Sequence, residues 1–248
     1  MNQQQHIDLN CDLGEGVGNE EALMPYISSC NLACGGHAGD AVTIKKVAEL
    51  AKKFAVGVGA HPSFPDRENF GRIKIEIPFE ELKHSLSEQI GLVAEACANQ
   101  NLPVHHIKLH GALYNLCATD TDYAEAMTDF LAENYSKIPV YVPYNSVMHR
   151  VANGRLKLIF EAFADRNYEA DGSLVSRSKN NAMITDKNQL ADHVIRLVKK
   201  GEIQSVSGGI LKRKADTICV HGDTPKAVEL LSFLTQKLVA ENIQIKTV

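Results

Sequence analysis

Asn31-Leu-Ala-Cys-Gly-Gly-His-Ala-Gly-Asp40 is the stretch on which the reading of the fold turns. Four residues of strand character, Asn31 to Cys34, run into two glycines, then His37, a third glycine and an aspartate. Glycines at a strand end let the backbone turn sharply and let a ligand approach the main chain. Asp40 can accept from the first free amides of a helix starting near Ala41. His37 thus stands at the exit of a turn on a rigid strand. A plain strand–turn–helix linker with an exposed histidine fits these residues equally well.

The recurrence of the arrangement decides between the two. Strand-like runs end in polar groups at Asp8-Leu-Asn-Cys-Asp-Leu-Gly-Glu15, Gly59-Ala-His-Pro62, Lys108-Leu-His-Gly111, Phe163-Ala-Asp-Arg166 and Cys219-Val-His-Gly-Asp223. Barrels of parallel strands draw their reactive residues from the C-terminal ends of several strands. Packing alone does not ask for so many polar strand ends.

Working outward, residues 7–12 read as a strand, followed by a loop in which Gly14 and Gly16 flank Glu15. A helix over 41–54 follows the second strand, with Val42, Val47, Leu50, Ala51 and Phe54 at helical spacing. Val56–Ala60 is the third strand, and the irregular 63–72 segment reads as a lid or substrate clamp. Pro78 opens a helix to about Gln100, in the first-turn position proline favours. Val104–Leu109 is the fourth strand, and a short helical piece carries Tyr114 and Asn115. A helix capped by Asp120 or Thr121 then reaches about Asn134. Strands follow at 139–142 and 158–164, then a polar loop over 165–177 and a helix over 186–200. A less regular segment holds Gly208-Gly209. Thr217–Val220 is a strand, Pro225 opens the last long helix, and Ile243–Lys246 is one more short strand. Alternating strands and helices predict a parallel sheet covered by helices. About seven strands predict a (β/α) barrel, complete or not, in one domain over 1–248.

Composition agrees. The 248 residues, 44% hydrophobic, suit one large domain. A formal net charge of -4 gives no footprint for nucleic acid. No apolar run approaches the roughly 18 residues a membrane helix needs, and Met1-Asn-Gln-Gln-Gln5 has neither the positive cluster nor the apolar core of a signal peptide. Cysteines 11, 30, 34, 97, 117 and 219 form no C-x-x-C pair, which predicts buried reduced thiols in a cytoplasmic protein.

No phosphate loop, no dinucleotide fingerprint and no G-x-S-x-G elbow is present, so nucleotide-handling and serine-hydrolase chemistry lose weight. What the strand ends carry is histidine and carboxylate: His37, His61, His110 and His221, with Asp12, Glu15, Asp40, Asp165 and Asp223, beside Lys108, Arg67 and Arg166. Two mechanisms fit. An aspartate and two histidines can bind a divalent metal that activates water. The same groups can also act without metal, a carboxylate or imidazole as base and a cation holding the oxyanion. Spacing does not choose between them.

Asp8-Leu-Asn-Cys-Asp-Leu-Gly-Glu-Gly16, Asn31-Leu-Ala-Cys-Gly-Gly-His-Ala-Gly-Asp40, Gly59-Ala-His-Pro-Ser-Phe-Pro-Asp66, Lys108-Leu-His-Gly-Ala-Leu-Tyr-Asn115 and Val220-His-Gly-Asp223 together resemble the LamB/YcsF family, in the same order over about residues 7 to 225. Leu109 is a departure, since the family more often has proline there. The resemblance implies a barrel of the glycoside hydrolase/deacetylase kind and ATP-dependent opening of 5-oxo-L-proline to L-glutamate. It implies separate B and C subunits that bind and use the ATP. Asp12, Glu15, His37, Lys108 and His110 are then the expected catalytic residues. Asn10, Gly35, Gly36, Arg67, Tyr114, Asn115 and Arg166 are the expected substrate contacts. Asp12, His37 and His61 are the expected ligands if the superfamily's metal is retained. The competing readings are a metal-dependent deacetylase of small N-acyl substrates and a non-catalytic lactam-binding subunit.

Overall fold

The computed structural model describes residues 5–224 and 226–248; Met1–Gln4 and Pro225, on which the leader and last-helix readings partly rest, lie outside the described residues. Strand β1 (Gln5–Leu13) alternates strictly. Ile7, Leu9, Cys11 and Leu13 join the apolar core, while Asp8, Asn10 and Asp12 are buried on the other face. A period of two sends alternate side chains to opposite faces. Here the outward face packs under helices and the inward face is polar.

The same parity holds around the ring. Helix α1 (Glu20–Leu23) leads to β2 (Ser29–Ala33), α2 (Ala41–Phe54), β3 (Gly57–His61), α3 (Phe79–Asn99) and β4 (His106–Ile107). Then come α4 (Gly111–Thr119), α5 (Thr121–Tyr135), β5 (Val140–Pro143), α6 (Val147–Ala152), β6 (Leu158–Phe163) and α7 (Lys187–Lys200). The hairpin β7 (Glu202–Gln204) and β8 (Ile210–Lys212), β9 (Thr217–Cys219), α8 (Ala227–Ala240) and β10 (Ile243–Ile245) complete the chain. Strands β1, β2, β3, β4, β5, β6 and β9 pair in parallel in that order, and β9 pairs back onto β1, so the seven-stranded barrel is closed. One edge of β1 is shared: β10 takes Gln5–Ile7 and β9 takes Asp8–Asn10, which staggers the closure.

The barrel interior is a column of hydrogen-bonded polar groups. At its base the Asp8 carboxylate accepts from the hydroxyls of Ser28, Ser29, Tyr141 and Thr217. Above it Asn10 donates to Thr217 Oγ1 at 2.7 Å and Glu161 Oε1 at 3.1 Å, and Asn31 donates to Asn10 at 2.7 Å and Asp12 at 2.6 Å. His106 donates to Asn31 Oδ1 at 2.7 Å and stacks on Tyr141 at 3.8 Å. Gly59 makes room for that ring: a Cβ there would stand 2.1 Å from His106 Nε2. Each buried polar atom that finds a partner avoids a desolvation penalty of about 1–3 kcal/mol.

The predicted elements recur with shifted ends. Asp40 caps α2 by accepting from Thr43 N at 2.8 Å, and Asp120, not Thr121, caps α5. Pro78 is the N-cap of α3 and not its first residue. The fourth strand contracts to His106–Ile107, although His105 N and Lys108 N still bond to Val58 O and Ala60 O. Besides α1, two elements have no counterpart in the sequence reading. One is α6, whose six residues are too few to show a period and whose cap is Ser146. The other is the β7–β8 hairpin, which buries only Ile203 and turns at Gly208-Gly209. All six cysteines are free and buried. Among the described residues no helix is long and apolar enough to cross a membrane.

Candidate active site

The C-terminal ends of the strands meet above the polar column. Lys108, directly after β4, is buried and donates to Asp12 Oδ1 at 2.9 Å; its ammonium lies 2.9 Å from Glu161 Oε1 of β6. Burial by itself would lower the ammonium's pKa, but Asp12, Cys219 and Glu161 outweigh it and hold it well above the usual lysine range. For Asp12, burial pushes up, and Lys108 and then His61 pull it well below the usual carboxylate range. Glu161 is fixed from its other side by the Tyr114 hydroxyl at 2.8 Å. A charged lysine between Asp12 and Glu161 is therefore built into the floor of the site.

Three imidazoles form the wall on the β2–β4 side. His61 Nδ1 donates to Lys108 O at 2.7 Å, and His110 Nε2 donates to Phe70 O at 3.0 Å. A carbonyl oxygen only accepts, so these nitrogens carry the protons. The remaining pair, His61 Nε2 and His110 Nδ1, face each other at 3.0 Å with lone pairs opposed if both rings are neutral. Asp12 Oδ2 is 3.5 Å from the first and Glu15 Oε1 3.6 Å from the second. His37 stacks on His110 with ring centres 3.6 Å apart and bonds Glu15 Oε1 through Nε2 at 3.1 Å, while its buried Nδ1 has no partner among the described residues. Burial lowers the pKa of His37, and burial with its two imidazole neighbours lowers that of His110 further. Two opposed lone pairs flanked by two carboxylates call for a positive charge between them, either a shared proton or a cation. Imidazole and carboxylate are donors that suit zinc and similar divalent ions.

The 63–72 segment closes over this wall. Phe70 sits in the left-handed region at φ 57°, where its carbonyl takes the His110 bond and its ring packs 5.2 Å from His37. Gly71 O accepts from Ala112 N, and Arg72 pairs with Asp223 at 2.9 Å beyond β9, so the segment spans the barrel mouth. A depression of about 320 Å³ lined by Glu15, His37, Asp40 and Arg67 opens at its edge. A larger one of about 520 Å³ lies between α2 and α3, away from these groups.

Over residues 7–248 the sequence matches the LamB/YcsF family profile. The chain belongs to the LamB/YcsF family. Relatives in this family include the 5-oxoprolinase A subunit of Clostridium beijerinckii, 42% identical over 245 residues and covering 96% of each chain. The protein of that name from Pyrococcus horikoshii is 40% identical, with the same coverage. The crystal structure of the lactam utilization protein from Thermus thermophilus superimposes with a TM-score of 0.92 at 33% identity, covering 98% of this chain and 100% of that one. A putative cellobiose-phosphate cleavage protein of Enterococcus faecalis, at 9% identity and a TM-score of 0.60, shares the fold.

Of the residues singled out in the sequence, Asp12, Glu15, His37, His61, Lys108 and His110 come together. Asn10 and Tyr114 lie beneath them and brace Glu161. Arg67 is exposed on the rim and donates to Gly35 O at 3.2 Å; Arg166 is buried, donates to Val175 O at 2.6 Å and leaves Nε unpartnered among the described residues. Neither arginine is paired with Asp66 or Asp165 among the described residues. Gly36 is explained by packing, since a Cβ there would lie 2.3 Å from Gln89 Oε1. Asn115, one step round α4 from buried Tyr114, is exposed and stays outside the cluster. Glu161 is a site group that the sequence reading does not single out, and the strand-end pair Asp165 and His221, joined at 2.9 Å, carries no role in it. The signal for Glu161 is a carboxylate inside the apolar run Leu158-Ile-Phe-Glu-Ala-Phe163.

Proposed function

We propose that this chain is the subunit that opens the 5-oxo-L-proline ring to L-glutamate within an ATP-dependent 5-oxoprolinase, with B and C partner subunits supplying activation by ATP. The observation that carries the reading is the Asp12–Lys108–Glu161 charge cluster set beside three imidazoles at the C-terminal end of the barrel. The names of the relatives supply the substrate. A lactam is a resonance-stabilised amide, so its hydrolysis needs either an input of free energy or an activated carbon. The chain has no phosphate-loop motif, which is why activation, by phosphorylation of the amide oxygen, falls to the partners.

In this reading Asp12, held ionised by Lys108, takes a proton from the attacking water. Its Oδ2 lies on the imidazole side, while Oδ1 is committed to Lys108 and Asn31. Lys108 offsets charge developing on the substrate oxygen, and His37 and His110 orient the water. Arg67 on the rim, Arg166 and the amides of 35–36 are the candidates for the substrate carboxylate. The 63–72 segment excludes bulk water once substrate is in place. The facing nitrogens of His61 and His110, with Glu15 and His37, would hold a divalent ion. That set overlaps the sequence expectation at His37 and His61, with Asp12 3.5 Å from His61 Nε2. Such an ion, when bound, lowers the pKa of a coordinated water towards about 7.

The test is Asp12→Asn in the assembled enzyme. A positioned general base contributes about 10²–10⁴-fold, so glutamate formation should fall by that factor while the melting curve stays cooperative. Near-full activity would refute the assignment.

A further inference from the structure

On the other side of Asp12 from the imidazole wall stands a histidine held quite differently. His221 follows β9, the strand that closes onto β1, and its Nδ1 lies 2.9 Å and 3.1 Å from the two oxygens of Asp165. Asp165 follows β6, is fully buried, and also accepts from the His221 amide at 3.1 Å and the Thr224 hydroxyl at 2.6 Å. The imidazole lies flat over Phe163, ring centres 5.3 Å apart and planes within 10°; the same Phe163 ring carries the Lys108 ammonium at 5.4 Å. The ring is therefore fixed in both tautomer and tilt. Its Nε2 makes no hydrogen bond among the described residues. A ring nitrogen of His221, an Asp12 oxygen and Cys219 Sγ all lie within 4.8 Å of one another.

We propose that the Asp165–His221 pair is the proton donor to the departing ring nitrogen, and that this donation keeps ATP use coupled to ring opening. The assignment rests on the lactam-opening reading above. If the partners phosphorylate the amide oxygen of 5-oxoproline, addition of water gives a carbon bearing a hydroxyl, a phosphate ester oxygen and the ring nitrogen. Phosphate leaves far more readily than an unprotonated amine. Breaking the C–O bond first would return the lactam and inorganic phosphate, and the ATP would be consumed for nothing. When His221 Nε2 delivers its proton, the C–N electron pair goes to nitrogen instead and the hydroxyl sheds its proton as C=O re-forms. The product is an amine and an acyl phosphate. A second water cleaves the acyl phosphate to glutamate and phosphate, and solvent returns the proton to His221.

The surroundings support this division of roles. Burial pulls the His221 pKa down, but Asp165 and then Asp12 outweigh it, against Arg177, and the net shift is upward. His37 and His110 shift the other way. The shifts favour a proton on the β6–β9 side, at His221, and free lone pairs on the β2–β4 side, at His37 and His110.

The test measures phosphate released and glutamate formed by the complete complex with 5-oxoproline and ATP. Wild type should give about one phosphate per glutamate by the stoichiometry above. His221→Gln and Asp165→Asn should lower glutamate about 10²-fold, the scale of a lost general acid, while phosphate release persists, so the ratio climbs. The wild-type ratio should also climb as pH is raised through the His221 pKa, a reading that needs no variant to fold. A ratio unchanged in folded variants and flat with pH would overturn the proposal alone. Absence of glutamate from the wild-type complex would overturn the lactam reading, and the proposal with it.

Discussion

Lys108→Met tests the floor of the site through stability alone. The ammonium, 2.9 Å from Asp12 and 2.9 Å from Glu161, sits where all three side chains are at most 6% exposed. Methionine matches the stem but leaves two carboxylates confined without their counter-charge. Breaking a buried ion pair from one side costs about 3–5 kcal/mol. In a chain of this length each kcal/mol moves Tm by about 2–4 °C, so the variant should melt about 6–20 °C below wild type at pH 7. The sign with pH follows from the carboxylates. Without Lys108 the burial of Asp12 raises its pKa in the folded state, so the deficit should shrink as pH falls towards 5 and a proton replaces the lost cation. Adding Glu161→Gln to Lys108→Met should recover part of the loss at pH 7. Thermal melts by circular dichroism at both pH values read all of this. A variant melting within about 2 °C of wild type at pH 7, or a deficit that does not change with pH, would refute the charge assignment.

Gly59→Ala should cost about 1–3 kcal/mol by overpacking, because the new methyl would stand 2.1 Å from His106 Nε2; chemical denaturation measures it, and a neutral result would mean the column has slack. Asp165→Asn should lower the His221 pKa, which NMR titration of the ring follows. His221 is raised in the fold, so its contribution is complete below about 6.5 and fades as pH rises through the raised value. Asp165 is lowered, so its contribution is present above the ordinary carboxylate pKa and is lost as pH falls through the lowered value. The stability gap between wild type and Asp165→Asn should therefore narrow at alkaline pH. Zinc titrated into the isolated chain should bind at one equivalent if the facing nitrogens of His61 and His110 form a metal site. Calorimetry should show that binding lost in His61→Ala; equal uptake by that variant would assign the pair to a shared proton.

The barrel was legible because its strands end in glycine and polar groups while their apolar residues alternate. β1 is the clearest case, with Asp8, Asn10 and Asp12 on one parity and Leu9, Cys11 and Leu13 on the other. Closure was not legible, since β9 returns to β1 from about 210 residues away and no local pattern records that pairing. The site was half legible. Residues directly after strands converge, as the parallel-barrel rule demands, but their mutual distances are tertiary facts. His61 and His110 are 49 positions apart, and only the folded chain brings their free nitrogens to 3.0 Å. Glu161 was legible only as one carboxylate in an apolar strand, because its partners Lys108 and Tyr114 lie 53 and 47 positions away. Asn115 does not join Tyr114 in the cluster because adjacent helical residues point about 100° apart, and only one of them can enter the barrel.

The most direct measurement is glutamate release from 5-oxo-L-proline and ATP by the B and C subunits proposed as partners, with and without this chain. The account predicts steady glutamate formation only in the complete mixture, with Asp12→Asn chain no better than none. Glutamate formed at the same rate without the chain, or with the Asp12→Asn chain in its place, would contradict it.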